Sequence, residues 1–139
     1  MIDYGKFEKS LGHLEAQLRN YRDAAERPEL RDIDREAIAE SVVQRFETCY
    51  DCLWKVLKRY LKEDLGMPEP PNSPKPLFRM AFENRLFPAV EQWLAYADAR
   101  VDTSHDYSGE KAQATIDSAF AFAVDAAALY QKMTGKPWT

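Results

Sequence analysis

An all-α fold, an up-and-down bundle of about five helices occupying one domain over residues 1–139, is what this sequence predicts, from three observations. Apolar residues recur in steps of three and four along several long segments. Prolines cluster where those segments break. No stretch alternates apolar and polar residues as a half-buried strand would. Composition agrees, with 45% hydrophobic and 30% charged residues, and only five glycines beside three Trp, seven Tyr and seven Phe.

The first helix is carried by Tyr4, Phe7, Leu11, Leu14, Leu18 and Tyr21, with Asp3 as its N-cap and Pro28 ending it within "ERPELRD". The second is longer. Asp34 is expected to cap it, and Ala39, Val43, Phe46, Tyr50, Leu53, Leu57 and Tyr60 form its main stripe. Val42, Cys49 and Val56 widen that stripe on one side, and Trp54 with Leu61 on the other, which predicts a central helix covered from several directions. Residues 65–76, "LGMPEPPNSPKP", read as a connection, closing on Ser73 as N-cap and Pro74 at the first helical position. A short helix over "PKPLFRMAFENRLF" and another from about Pro88 through "AVEQWLAYADAR" follow. Ser108 is placed to cap the last helix, from Gly109 to about Met133, with Ile116, Phe120, Ala123, Ala127 and Tyr130 as its stripe and Gly135 and Pro137 as its stop.

A net charge of −4 argues against indiscriminate binding to nucleic acid or anionic membranes, so neither DNA nor a membrane is an expected partner. The segment 45–62 is nevertheless basic, with Arg45, Lys55, Lys58, Arg59 and Lys62 against Glu47 and Asp51; a solvated helix face is the common reason for such a run. The run "SAFAFAVDAAALY" is interrupted by Asp125 and too short to span a bilayer. "MIDYGKFEKS" lacks the layout of a secretory signal, so a cytoplasmic location is expected. Cys49 and Cys52 form a C-x-x-C spacing in mid-helix, away from the helix N-terminus that would activate a thiol. With no second cysteine pair to complete a zinc site, they read as packing residues; no metal or cofactor is expected.

The stretch "RVDTSHDY" from Arg100 holds one of the chain's two histidines. Ser104, Asp106 and Ser108 are turn and capping residues, so a plain interhelical loop explains them. A chemical reading is also open. An imidazole changes charge between pH 5 and 8, so a residue such as His105 suits general acid–base work, while Arg100 offers a permanent planar cation for phosphate oxygens. Together they suit RNA cleavage without a metal, the imidazole taking the 2′-hydroxyl proton and the guanidinium countering charge on the phosphoryl oxygens. One histidine cannot easily also protonate the leaving oxygen; two copies facing each other would supply that group. Glu47, Asp51 and Lys55, spaced by four on the second helix, share a face and either border this cleft or form an exposed ion-pair ladder. Trp54 and Trp93 read as core or dimer contacts rather than base-stacking platforms, and His13 as a surface residue without assigned chemistry.

Three segments carry a family resemblance: "QRFETCYDCLWKVLKRYL" from Gln44, "SPKPLFRMAFENRLF" from Ser73 and "RVDTSHDYSGEKA" from Arg100. In this order the chain resembles the HEPN-domain subunit encoded beside a minimal nucleotidyltransferase, a group labelled nucleotidyltransferase substrate-binding proteins; the likeness spans roughly residues 4 to 133. The resemblance implies a dimerising HEPN-like bundle, a nucleotidyltransferase partner and a toxin–antitoxin-like role with RNA as substrate. On that pattern Arg100 and His105 correspond to the ribonuclease pair, and Tyr107 to a tyrosine that the partner modifies with AMP in some members. Arg45, Glu47, Asp51, Lys55, Asp102 and Ser104 are the supporting cleft candidates. The chain departs from the pattern at Val101, where the family commonly has asparagine and where valine offers no side-chain hydrogen bond. That departure and the acidic net charge favour the alternative reading, a non-catalytic subunit that presents substrate, or its own tyrosine, to the nucleotidyltransferase.

Overall fold

A computed structural model describes the backbone of residues 1–103 and 109–138, and the side chains of 1–103 and 112–138. Five helices account for the regular structure among these residues: α1 (Gly5–Ala24), α2 (Asp32–Glu63), α3 (Pro74–Glu83), α4 (Glu91–Asp102) and α5 (Gly109–Thr134). No described helix is long and apolar enough to cross a membrane.

The predicted stripes become the core. Phe7, Leu11, Leu14 and Leu18 of α1 are buried, as are Val43, Phe46, Tyr50, Leu53 and Leu57 of α2 and four of its five widening residues, Val42, Cys49, Val56 and Leu61, with Trp54 half-buried. Helix α2 touches all four others, which is why its apolar band is so wide. Directions alternate: Arg59 at the far end of α2 reaches the Met1 carbonyl, while Arg35 near its start bonds the Ala24 carbonyl at the end of α1. Helix α5 runs antiparallel to α1, with Tyr130 donating to Glu8 at one end and Tyr21 to Gln113 at the other. The hub is Phe122, whose ring lies 5.2 Å from Phe46, 5.3 Å from Tyr96, 6.1 Å from Trp93 and 6.2 Å from Tyr50. The stripe read on α5 ran through Phe120 and Ala127, which are half-buried, and passed by Ala119, Phe122, Ala126 and Leu129, which are buried.

Four boundaries differ from the sequence reading. The N-cap of α1 is Tyr4, not Asp3, whose carboxylate accepts the Gly5 N–H at 2.8 Å. Helix α2 begins at Asp32, not after Asp34; Arg31 is the N-cap, and Asp34, one turn in, accepts its backbone N–H at 2.9 Å to close a capping box. Helix α3 stops at Glu83 instead of running on to Phe87. Arg85 adopts φ 62°, the Leu86 N–H bonds the Ala81 carbonyl at 3.1 Å and the Arg85 N–H the Phe82 carbonyl at 2.9 Å. This is a Schellman stop with arginine where glycine is usual, so no sequence signal announced it. Helix α4 accordingly starts at Glu91, after Pro88, rather than at it. The predicted cap Ser108 lies outside the described residues.

Candidate functional site

Helix α4 lies across the middle of α2 and brings its last turn against the acidic face read from the sequence. Arg100 donates from Nε to Asp51 Oδ1 at 3.2 Å and from Nη2 to Asp51 Oδ2 at 3.1 Å, a two-pronged pairing; its Nη1 donates to Glu47 Oε2 at 3.0 Å. A bidentate guanidinium–carboxylate pair fixes orientation as well as distance. The cluster is partly sheltered, with 28% of the Arg100 side chain exposed and 18% of Glu47.

Thr103, which the sequence reading did not single out, completes the arrangement. Its side chain is 1% exposed, and its hydroxyl sits 2.9 Å from Glu47 Oε2 and 2.7 Å from the Arg100 carbonyl. Glu47 therefore receives both Arg100 and Thr103, tying the end of α4 to the centre of α2. The only hint in the sequence was a hydroxyl residue three positions after the arginine, one helical turn on.

Two depressions meet at Arg100. A polar one of ≈ 450 Å³ is lined by Gln44, Arg45, Glu47, Thr48, Asp51 and Arg100. Arg45 crosses from there toward α1, its Nη1 3.3 Å from His13 Nδ1. The other depression, ≈ 510 Å³, has apolar walls from Tyr50, Trp54, Pro74 and Pro76 on α2 and α3, and Ala97 and Val101 on α4. Asp51 and Arg100 line both. Burial, and then the Asp51 carboxylate, raise the Tyr50 hydroxyl's pKa, so it stays protonated at neutral pH.

The structure thus groups Arg45, Glu47, Asp51 and Arg100. Lys55 and Asp102 are exposed and line neither depression. Ser104, His105 and Tyr107 lie outside the described residues. Trp93 is buried at 2% exposure among Phe78, Phe87 and Tyr96, whereas Trp54 packs half-buried on the core edge and lines the apolar depression. Cys49 is fully buried, and burial pushes its thiol up to about 12; Cys52 is half-buried. No group of His, Cys, Asp or Glu able to hold a metal ion occurs among the described residues.

Chemically, the cluster can position an arginine rigidly, but it does so by pairing it. With Arg45 and Arg100 set against Glu47 and Asp51, the polar depression carries no excess of positive charge.

Comparison with known proteins finds relatives in both sequence and structure. Residues 2–135 match the family described as nucleotidyltransferase substrate binding protein like. A protein of Haemophilus influenzae named probable ribonuclease HepT is 28% identical over 103 residues, covering 73% of this chain and 70% of the relative. A crystal structure of a protein from Thermus thermophilus superposes with a TM-score of 0.66 at 27% identity, covering 87% of this chain and 98% of that one.

Proposed function

Because this chain belongs to the nucleotidyltransferase substrate-binding-protein-like family, we propose that it is the HEPN-type member of a two-gene toxin–antitoxin-like pair. Its partner in this reading is a minimal nucleotidyltransferase, and its own activity is metal-independent cleavage of RNA in the cytoplasm. Arg100 and His105 carry the reaction at the interface of a homodimer. His105 accepts the 2′-hydroxyl proton as that oxygen attacks the adjacent phosphorus, and Arg100 counters the charge on the phosphoryl oxygens. The second copy's histidine protonates the departing 5′-oxygen, leaving a 2′,3′-cyclic phosphate. Tyr107 is the brake: its phenol oxygen attacks the α-phosphorus of ATP held by the partner, pyrophosphate leaves, and the added AMP fills the cleft with negative charge.

The observation that supports this most is the fixed Arg100. A guanidinium held on two edges by Asp51 and Glu47 is preorganised, and preorganised charge is what transition-state stabilisation requires. The Haemophilus relative's name, probable ribonuclease HepT, points the same way.

The same carboxylates also favour a second reading. A phosphate approaching Arg100 meets Glu47 and Asp51, and the Val101 side chain beside it offers no hydrogen bond. On that reading the protein is a binding subunit that presents substrate, or Tyr107, to the nucleotidyltransferase. RNA cleavage by purified, partner-free protein in the presence of chelator, beside His105→Ala, separates the two. Chelator-resistant cleavage with 2′,3′-cyclic ends, lost in the variant, is the expected result. Folded protein with unmodified Tyr107 that cleaves no better than the variant would leave the binding-subunit reading.

A further inference from the structure

We infer that the apolar depression between α2, α3 and α4 is a nucleobase site, taking the unpaired base that neighbours the phosphate on Arg100. The inference rests on the RNA reading above and adds to it where the substrate's base is held. Arg100 and Asp51 line both depressions, so an occupant of the apolar one lies within one side chain of an anion on the polar side. Phosphate and base of one nucleotide are separated in just this way, by a sugar.

The walls argue for a flat, uncharged ligand. Trp54, which is half-buried, lines the depression together with Pro74 and Pro76. Aromatic faces hold bases of any identity by stacking, and single-stranded RNA is where bases are free to be held. The charged groups at the rim are already matched, Arg100 with Asp51 and Lys75 with Asp98 at 2.6 Å. Trp54, Pro74, Pro76, Ala97 and Val101 bring no charge of their own to the walls.

The start of α3 is also a poor place for phosphate. Prolines at its first and third positions have no N–H, and the Leu77 N–H already bonds the Ser73 carbonyl at 3.2 Å. Ser73 stands at the N-cap without making the capping hydrogen bond, which leaves its hydroxyl at the cleft edge to meet polar atoms of a base. The volume of ≈ 510 Å³ falls in the range of about 300–1,000 Å³ usual for small-molecule sites.

The test uses the full chain and a short 2′-O-methyl oligoribonucleotide, which cannot be cleaved, with a single abasic unit walked along it. One position is expected to weaken binding by about 5- to 100-fold, the loss of one base–aromatic stack. In Trp54→Leu the same abasic unit is expected to cost little further. As a check independent of that variant's folding, 5-iodouracil at the sensitive position should cross-link to Trp54 or Tyr50 of the wild-type protein. Equal losses at every abasic position, or cross-links only elsewhere, overturn the base site even where RNA is cleaved. No binding of any oligonucleotide overturns the RNA reading with it. Abasic losses left unchanged in Val101→Lys, whose longer side chain would fill the cleft, likewise overturn the base site.

Discussion

The packing around Phe122 and the seam around Arg100 draw on the same two helices, α2 and α4, yet they are built by opposite means. Around Phe122, rings from three helices meet edge to face with no water-facing group among them, and each such pair adds about 0.5–1.5 kcal/mol to the burial itself. Around Arg100, three guanidinium–carboxylate hydrogen bonds and the Thr103 hydroxyl, whose one proton is shared between Glu47 and the Arg100 carbonyl, do the joining, in a place still open to solvent. Apolar packing tolerates small rearrangement of its members, whereas the seam loses its arrangement when any one acceptor is removed. The first region holds α4 on the bundle; the second decides how its last turn is aimed.

That contrast can be broken first at its apolar end. Phe122→Ala is expected to destabilise the fold by about 3–5 kcal/mol, read as a shift in the urea midpoint, because the cavity would border four other rings. A midpoint unchanged within error would mean that the hub does not carry the core.

Alkaline titration probes the same interior. Burial raises the Cys49 thiol to about 12, so the folded chain keeps a proton that the unfolded chain loses. Stability from this source is complete below the unfolded thiol's pKa of about 8.5 and declines as pH rises toward the folded value. Tyr50, also raised by burial, acts in the same direction. A fall on the order of 2–4 kcal/mol by about pH 11 is expected from linkage, with a shallower decline in Cys49→Ala. An identical pH slope in that variant would place the effect elsewhere.

The seam is sharpened by Glu47→Ala, expected to cost about 1–3 kcal/mol since it strips a charged acceptor from both Arg100 and Thr103. On the ribonuclease reading it should also misalign Arg100, so that RNA cleavage by the folded variant falls below wild type. Thr103→Val keeps the shape and removes only the hydroxyl, and about 1 kcal/mol is expected. A double-mutant cycle between the two checks that they act through one contact, and strict additivity would show that they do not.

How legible each region was from sequence follows from the same contrast. Leu11, Leu14, Val43, Phe46 and Leu57 announce their burial by spacing alone, since a helix carries its period wherever it goes. Phe122 escaped because α5 is rich in alanine and offers more than one stripe. The end of α3 escaped because Arg85 occupies a left-handed position that gives no warning unless glycine fills it. At the seam, the spacing of Glu47, Asp51 and Lys55 shows a shared face but not what faces it. Arg100 is 49 residues beyond Asp51, and only packing brings them together. Thr103 is 56 residues beyond Glu47, and nothing local marks a threonine as the partner of a distant carboxylate. The family resemblance marks Arg100, and its segment from Gln44 contains Glu47, but their pairing is visible only in the packed structure.

The position of the seam along its helices has a consequence for how it moves in time. Glu47 and Asp51 sit near the midpoint of the 32-residue α2, whereas Arg100 and Thr103 sit at the very end of the 12-residue α4. Helix centres exchange their amide hydrogens only through large-scale opening, while terminal turns exchange through fraying. Displacing the carboxylates therefore requires α2 itself to open, whereas the guanidinium depends on the last turn of α4 alone, and the bonds to Asp51 and Glu47 are what hold that turn in place.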